Sequence, residues 1–171
     1  AYTTPETVTT IGEKVFTQKT GLTEITIGKN VTEIGSFAFN GCTNLEKVTF
    51  ADGGTEGLVI SNEAFANCSK LAEVNLPVRL VSISAGAFRS CRAITEIVIP
   101  EGVESIGAEA FQWCSSLVRV SLPKTLSSLG STENGSELYM YVFRYCNALE
   151  EINVASDNAS FYSDNGVLYG K

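Results

Sequence analysis

Histidine is absent from the 171-residue chain. Its absence removes Ser–His–Asp and Cys–His nucleophile systems, most zinc sites, and the side chain best suited to proton transfer near neutral pH. No apolar run approaches the ~20 residues that a membrane-spanning helix needs. Basic residues are few and scattered, twelve Lys and Arg against nineteen Asp and Glu. At a net charge of −7 there is no basic patch to hold a nucleic-acid backbone or an anionic membrane surface. The opening residues, Ala1 to Thr7, have neither the basic nor the apolar region of a signal peptide. That start fits a cytosolic chain or one whose export signal has been removed.

What is present is repetition. Apolar residues make up 44% and charged residues 18%, the balance of a folded globular chain. All five cysteines, Cys42, Cys68, Cys91, Cys114 and Cys146, sit three places after a phenylalanine and three before a leucine or isoleucine. The phenylalanines Phe16, Phe39, Phe65, Phe88, Phe111 and Phe143 are spaced by 23, 26, 23, 23 and 32 residues. The underlying period is therefore 23, with inserts of three and nine. Upstream of each anchor stands an apolar residue followed by a small one, as in Ile34-Gly35 and Ile106-Gly107. Downstream runs L-x-x-I-x-I, as in Leu45, Val48 and Phe50, or Leu117, Val120 and Leu122. Pro77, Pro100 and Pro123 close three of these segments, where a residue without an N–H ends a strand.

The alternation in I-x-I predicts a short strand with one apolar face. A single 23-residue unit cannot bury that face alone, so successive units stack around a common core. Strands of successive turns then run parallel about 4.8 Å apart, in a sheet along one side. The Ala-Phe segment is too short for a full helix and predicts a tight helical or 3₁₀ turn.

The stretches 22–50 and 94–123 resemble the BspA-like class of leucine-rich repeats, whose motif runs C-x-x-L-x-x-I-x-I-P-x-x-V-x-x-I-G-x-x-A-F. The resemblance covers about residues 8–155, six units, and extends to the tail at 160–171, similar to a segment that follows such repeats. Three departures touch loops only: Lys19 where other units have Cys, a small insert at 51–57, and the interruption at 131–140. The resemblance implies a right-handed leucine-rich-repeat solenoid, β-rich, with a parallel sheet on one side and short helical turns. The chain is expected to form one such domain over 1–171, its last residues 156–171 forming a β-hairpin cap. It enters mid-unit, which suggests a fragment of something longer.

Each candidate chemistry has a plainer counterpart. Stacking brings the cysteines into a column, so disulfides or a metal are conceivable, but paired C-x-x-C ligands are missing and the count is odd. A ladder of buried thiols donating to backbone carbonyls is the simpler reading. On the outward strand positions, Glu24, Lys47, Glu73, Glu96, Arg119 and Glu151 form one column. Thr26, Thr49, Asn75, Val98, Ser121 and Asn153 form the next. Only Glu73 and Glu96 are like-charged neighbours. Two carboxylates so placed could serve a retaining glycosidase, yet that needs a pocket and a raised pKa, which an open sheet does not supply. A polar binding face including Glu73, Asn75, Glu96, Val98, Arg119, Ser121 and Glu151 is the preferred reading.

In the insert, Tyr139 and Tyr141 suit either loop packing or a contact site, tyrosine being favoured at interfaces. Asp157 and Asp164 lack EF-hand spacing. Asn165-Gly166 reads as a hairpin turn. The expectation is a module without enzymatic activity or cofactor. The resemblance places it on a bacterial cell surface or outside the cell, and implies adhesion to a protein or glycan, such as a host-matrix or cell-surface component. The alternative is a structural spacer holding another domain away from an anchor.

Overall fold

The computed structural model describes residues 1–131 and 139–171, with the side chains of all but Ser131, Tyr139 and Met140. The 23-residue units stack as turns of a solenoid in which the same residue types recur, one above another, on three sides.

The first side is built by the L-x-x-I-x-I segments. It holds β1 (Tyr2–Thr3), β3 (Glu24–Ile27), β5 (Lys47–Phe50), β7 (Glu73–Val74), β9 (Glu96–Val98), β11 (Arg119–Leu122) and β13 (Glu151–Val154). The second side is built by the segments around Ile-Gly. It holds β2 (Thr10–Ile11), β4 (Glu33–Ile34), β6 (Leu58–Ile60), β8 (Leu80–Ile83), β10 (Ser105–Gly107) and β12 (Ser128–Ser131). These six pair in parallel as a continuous sheet. A sheet therefore lies on two sides of the stack, where the repeat pattern predicted one. Two strands of the second side, β2 and β4, are only two residues long, too short to show an alternating pattern in sequence.

The first-side sheet is not continuous. β1, β3, β5 and β7 form one ladder and β9, β11 and β13 another. Among the described residues, no backbone hydrogen bond joins β7 to β9. The same two turns stay joined elsewhere: β6 pairs with β8, and Phe65 stacks on Phe88 with ring centroids 5.3 Å apart.

The third side is the Ala-Phe turn. Its tightness comes from i→i+3 bonds such as Cys42 N–H to Phe39 O at 3.0 Å. It also forms a ladder between turns: the N–H groups of Phe37, Phe39 and Gly41 donate to the carbonyls of Asn62, Ala64 and Ala66. Pointing alternate N–H groups along the axis requires a left-handed conformation two residues before and two after the phenylalanine. Phe37, Glu63, Glu109, Asn67, Ser90, Trp113 and Tyr145 all have φ between 52° and 64°. Each such non-glycine residue costs about 1 kcal/mol, offset by the hydrogen bond it allows.

Between the three sides lies the core. Six phenylalanine rings form a column, Phe16–Phe39–Phe65–Phe88–Phe111–Phe143, with centroids 4.9 to 5.8 Å apart and planes within 12°. Phe39, Phe65, Phe88 and Phe111 are fully buried, each worth on the order of 2–3 kcal/mol of apolar burial. Beside them the cysteines, all buried and free, form a second column. Each thiol donates to the anchor carbonyl of the preceding turn: Cys42 to Phe16, Cys68 to Phe39, Cys91 to Phe65, Cys114 to Phe88 and Cys146 to Phe111, at 3.0 to 3.2 Å.

At the C-terminal end, α1 (Tyr139–Val142) leads into the last turn, and β14 (Phe161–Asp164) and β15 (Val167–Gly170) form an antiparallel hairpin. Asn165 and Gly166 turn it with φ of 49° and 79°, the left-handed pair of a type I′ turn. The hairpin packs on β13, where Ile152 N–H donates to Gly166 O, and Phe161 is buried in the core cluster.

Candidate interaction surface

The outward residues of the first side stand where strand alternation puts them, in charge pairs between adjacent strands. Lys47 Nζ lies 2.6 Å from Glu73, and Arg119 lies 3.6 Å from Glu96 and 3.0 Å from Glu151. The hydrogen bond to Glu73 raises the pKa of Lys47. All five side chains are 44–64% exposed, so such pairs contribute little, about 0–1 kcal/mol each.

Glu73 and Glu96 face each other across the unpaired β7/β9 boundary. Each is drawn to a cation on its own side, and both side chains are more than half exposed. That arrangement lacks the shared, desolvated site that a glycosidase pair requires.

Asn75 and Val98 are exposed, Val98 by 57%, and Ser121 is half-buried. Two grooves run along the ends of these strands. One, of about 360 Å³, is lined by Thr49, Phe50, Asn75, Leu76, Pro77 and Arg79 among others. The other, of about 410 Å³, is lined by Val98, Pro100, Ser121, Pro123, Asn153 and Val154 among others. The β7/β9 boundary lies between them.

Beside the first groove the insert at 51–57 is held down by Arg79. Its guanidinium donates to the carbonyls of Val31, Gly28 and Glu56, so one side chain from the fourth turn ties the second and third together. Burial lowers its pKa, and among the described residues no carboxylate pairs with it.

The feature that the strand pattern did not reveal lies on the third side. Trp113 and Tyr145 stack face to face with centroids 4.0 Å apart and planes 20° apart. Arg144 lies over Tyr145 at 4.6 Å and over Tyr141 at 5.1 Å. Trp113 is 43% and Tyr145 39% exposed. Tyr141 is half-buried, and the side chain of Tyr139, with residues 132–138 of the insert, lies outside the described residues. Trp113 and Tyr145 occupy the left-handed position just before the cysteine, which Gly41, Asn67 and Ser90 hold in earlier turns. The cue in the sequence was the switch from small or polar to aromatic at that place.

The BspA type leucine-rich repeat region matches residues 1–58 and 55–165, in six copies. Several solved bacterial structures share the fold. The pneumococcal vaccine antigen PcpA superposes with a TM-score of 0.84 at 28% identity, over 99% of this chain and 44% of its own. A Treponema pallidum leucine-rich repeat protein gives 0.76 at 28%, over 88% and 67%. A leucine-rich repeat protein from Bacteroides ovatus gives 0.71 at 35%, over 88% and 38%. The chain thus spans about two thirds of the treponemal protein and less than half of the other two. No curated protein matches it in sequence. With the repeat matched over nearly its whole length and the solenoid in place, the chain belongs to the BspA-type leucine-rich-repeat family.

Proposed function

We propose that this chain is a non-enzymatic interaction module of a cell-surface or secreted bacterial protein, binding a protein or glycan for adhesion. The observation that carries the reading is the exposed Trp113–Tyr145 stack with Arg144 beside it. The fold does not require aromatic residues there, since Gly, Asn and Ser make the same turn in other units. Holding two bulky rings at positive φ is costly, and such cost concentrates at ligand-contacting positions. Trp, Tyr and Arg are also the residue types that dominate binding energy at interfaces.

The first-side residues Glu73, Asn75, Glu96, Val98, Arg119, Ser121 and Glu151, with Tyr141, extend the candidate surface. Surface location is supported by the similarity to PcpA, described as a vaccine antigen, and to a Faecalibacterium prausnitzii protein described as a leucine-rich cell surface protein (27% identity, TM-score 0.65). A spacer role is the second reading, favoured by the hydrogen-bond ladders that tie each turn to the next.

An array of matrix proteins and glycans tests the proposal. The intact chain is expected to retain at least one ligand, and a variant carrying Trp113→Asn and Tyr145→Asn to lose it while keeping its circular dichroism spectrum. An array on which the folded chain binds nothing would favour the spacer.

A further inference from the structure

The charges on the first side run Glu24, Lys47, Glu73, then Glu96, Arg119, Glu151. The signs alternate from strand to strand except at one place, and there the sheet is interrupted. A strand bearing a cation at that point would restore both the alternation and the ladder. We propose that the β7/β9 opening receives an extended segment of a partner protein with the pattern basic–aliphatic–polar–aliphatic. This rests on the reading of the chain as an interaction module and names the chemistry of one partner.

Three observations converge on that occupant. First, among the described residues, main-chain groups on both lips lack a strand partner. Thr95 O and Ile99 N–H are bonded to β11, accepting from Val118 N–H and donating to Ser121 O. By the alternation of strand hydrogen bonding, the main chains of Glu96 and Val98 point into the opening. On the other lip Glu73 N–H is bonded to Glu46 O on the β5 side, which leaves Val74 facing the opening. Unpaired strand edges are templates for an added strand.

Second, the inward column loses its cover at the same place. Ile25, Val48, Ile97 and Val120 are no more than 2% exposed, and Ile27, Phe50, Ile99 and Leu122 no more than 8%, whereas Val74 and Leu76 are only partly buried. An aliphatic side chain of the occupant would complete this core. Third, the outward flanks are acidic. The groups facing the site are Glu73 and Glu96, with their partners Lys47 and Arg119 lying on the far side of each carboxylate. Asp52 and Arg79 line the adjoining groove, and Arg79 is occupied by carbonyls. A Lys or Arg between the two glutamates meets carboxylates on both sides.

The chain's own strands carry this pattern, so the hexapeptide Val-Arg-Val-Ser-Leu-Pro, the sequence of residues 118–123, is a suitable probe. Its affinity for the intact chain is measured by calorimetry beside two controls, one with Glu replacing Arg and one N-methylated at alternate amides. Amide hydrogen exchange is followed with and without peptide. In the free chain the Val74 and Val98 amides should exchange faster than those of Val48 and Val120, and the probe should protect them. The Glu peptide should bind about tenfold or more weakly, and the N-methylated peptide should not bind. In the Glu73→Gln, Glu96→Gln double variant the preference for Arg over Glu should shrink while sensitivity to N-methylation remains.

Slow exchange at Val98 in the free chain, no binding of the probe, or binding indifferent to charge and N-methylation would each overturn the inference. None of these would touch the broader reading, which falls only if the ligand array is silent.

Discussion

The Trp113 indole lies flat against the Tyr145 ring, 4.0 Å between centroids, with both residues at φ 64°. Each residue pays for its exposed position in backbone conformation and recovers part of it from the stack. Replacing either ring by Asn, which tolerates the left-handed region, removes a stack worth ~1 kcal/mol and relieves strain of about the same size. Stability of the single variants should therefore stay within about 1 kcal/mol of the parent by urea unfolding. Binding to any ligand held at this face should fall at least tenfold. A large stability loss with binding intact would mark the stack as structural.

The cysteine column makes a prediction about reactivity. Burial pushes all five thiols up, Cys146 to about 11 and the inner ones higher. The thiolate is the reactive form, so the native chain should resist a thiol reagent at pH 8 while the denatured chain reacts at five sites. Rapid labelling of Cys91 in the native state would contradict its burial.

The same shifts give the chain a pH dependence. A thiol whose folded pKa exceeds its unfolded value, 9.0 for these groups, binds its proton more tightly when folded. Its full contribution is present below pH 9 and is lost as pH rises through the folded pKa. Unfolding free energy should therefore fall from about pH 9 upward, with a slope of up to ~1.4 kcal/mol per pH unit for each titrating thiol. Replacing Cys91 and Cys114 by Ala should flatten that slope while lowering stability at pH 7 by about 1–2 kcal/mol each.

Asn158 joins the cap to the stack. Its amide nitrogen donates to Pro123 O and Leu126 O at 2.8 and 2.9 Å, and its oxygen accepts from Ser160 and Phe161 N–H at 2.8 and 2.7 Å. The residue is 1% exposed, so Asn158→Ala strips a partner from Leu126 O and from the N–H groups of Ser160 and Phe161, while Pro123 O keeps Leu126 N–H, and should cost about 3 kcal/mol. Faster amide exchange across 158–170 than across Phe111 or Val120 would locate the loss at the cap.

Arg79 is expected to anchor the 51–57 loop. Arg79→Met keeps the aliphatic stem but removes the donors to Val31, Gly28 and Glu56, and should cost about 2 kcal/mol. Limited proteolysis should then cut within 51–57, at a rate that leaves the parent chain intact. Equal resistance in both chains would show that the loop is held by other contacts.

Much of this was legible in the chain because the repeat says the same thing six times. Phe39, Phe65, Phe88 and Phe111 recur at one place, and residues at one place in a stacked unit must lie in one column. Val48, Ile97 and Val120 alternate with polar residues, which assigns them to the inner face of a strand. The left-handed positions were hidden because Glu63, Ser90 and Trp113 are not glycine, and only hydrogen bonding between turns compels their φ. Arg79 was hidden because its carbonyl partners lie 23 to 51 residues away and no side chain signals them. Lys47–Glu73 and Arg119–Glu151 could be read from the columns. The opening between Glu73 and Glu96 could not, although its one cue, the like-charged neighbours, was visible.

The chain's own pattern sets the period, the residues that face inward, and the placement of every thiol and of the six anchor phenylalanine rings. It could do so because period-2 alternation and unit spacing are local properties that stacking merely copies. Tertiary structure alone decided which adjacent turns bond on all three sides, and that Trp113 meets Tyr145 under Arg144. Those outcomes depend on how neighbouring turns tilt and where an insert is stored, a balance of many weak contacts that no single unit contains.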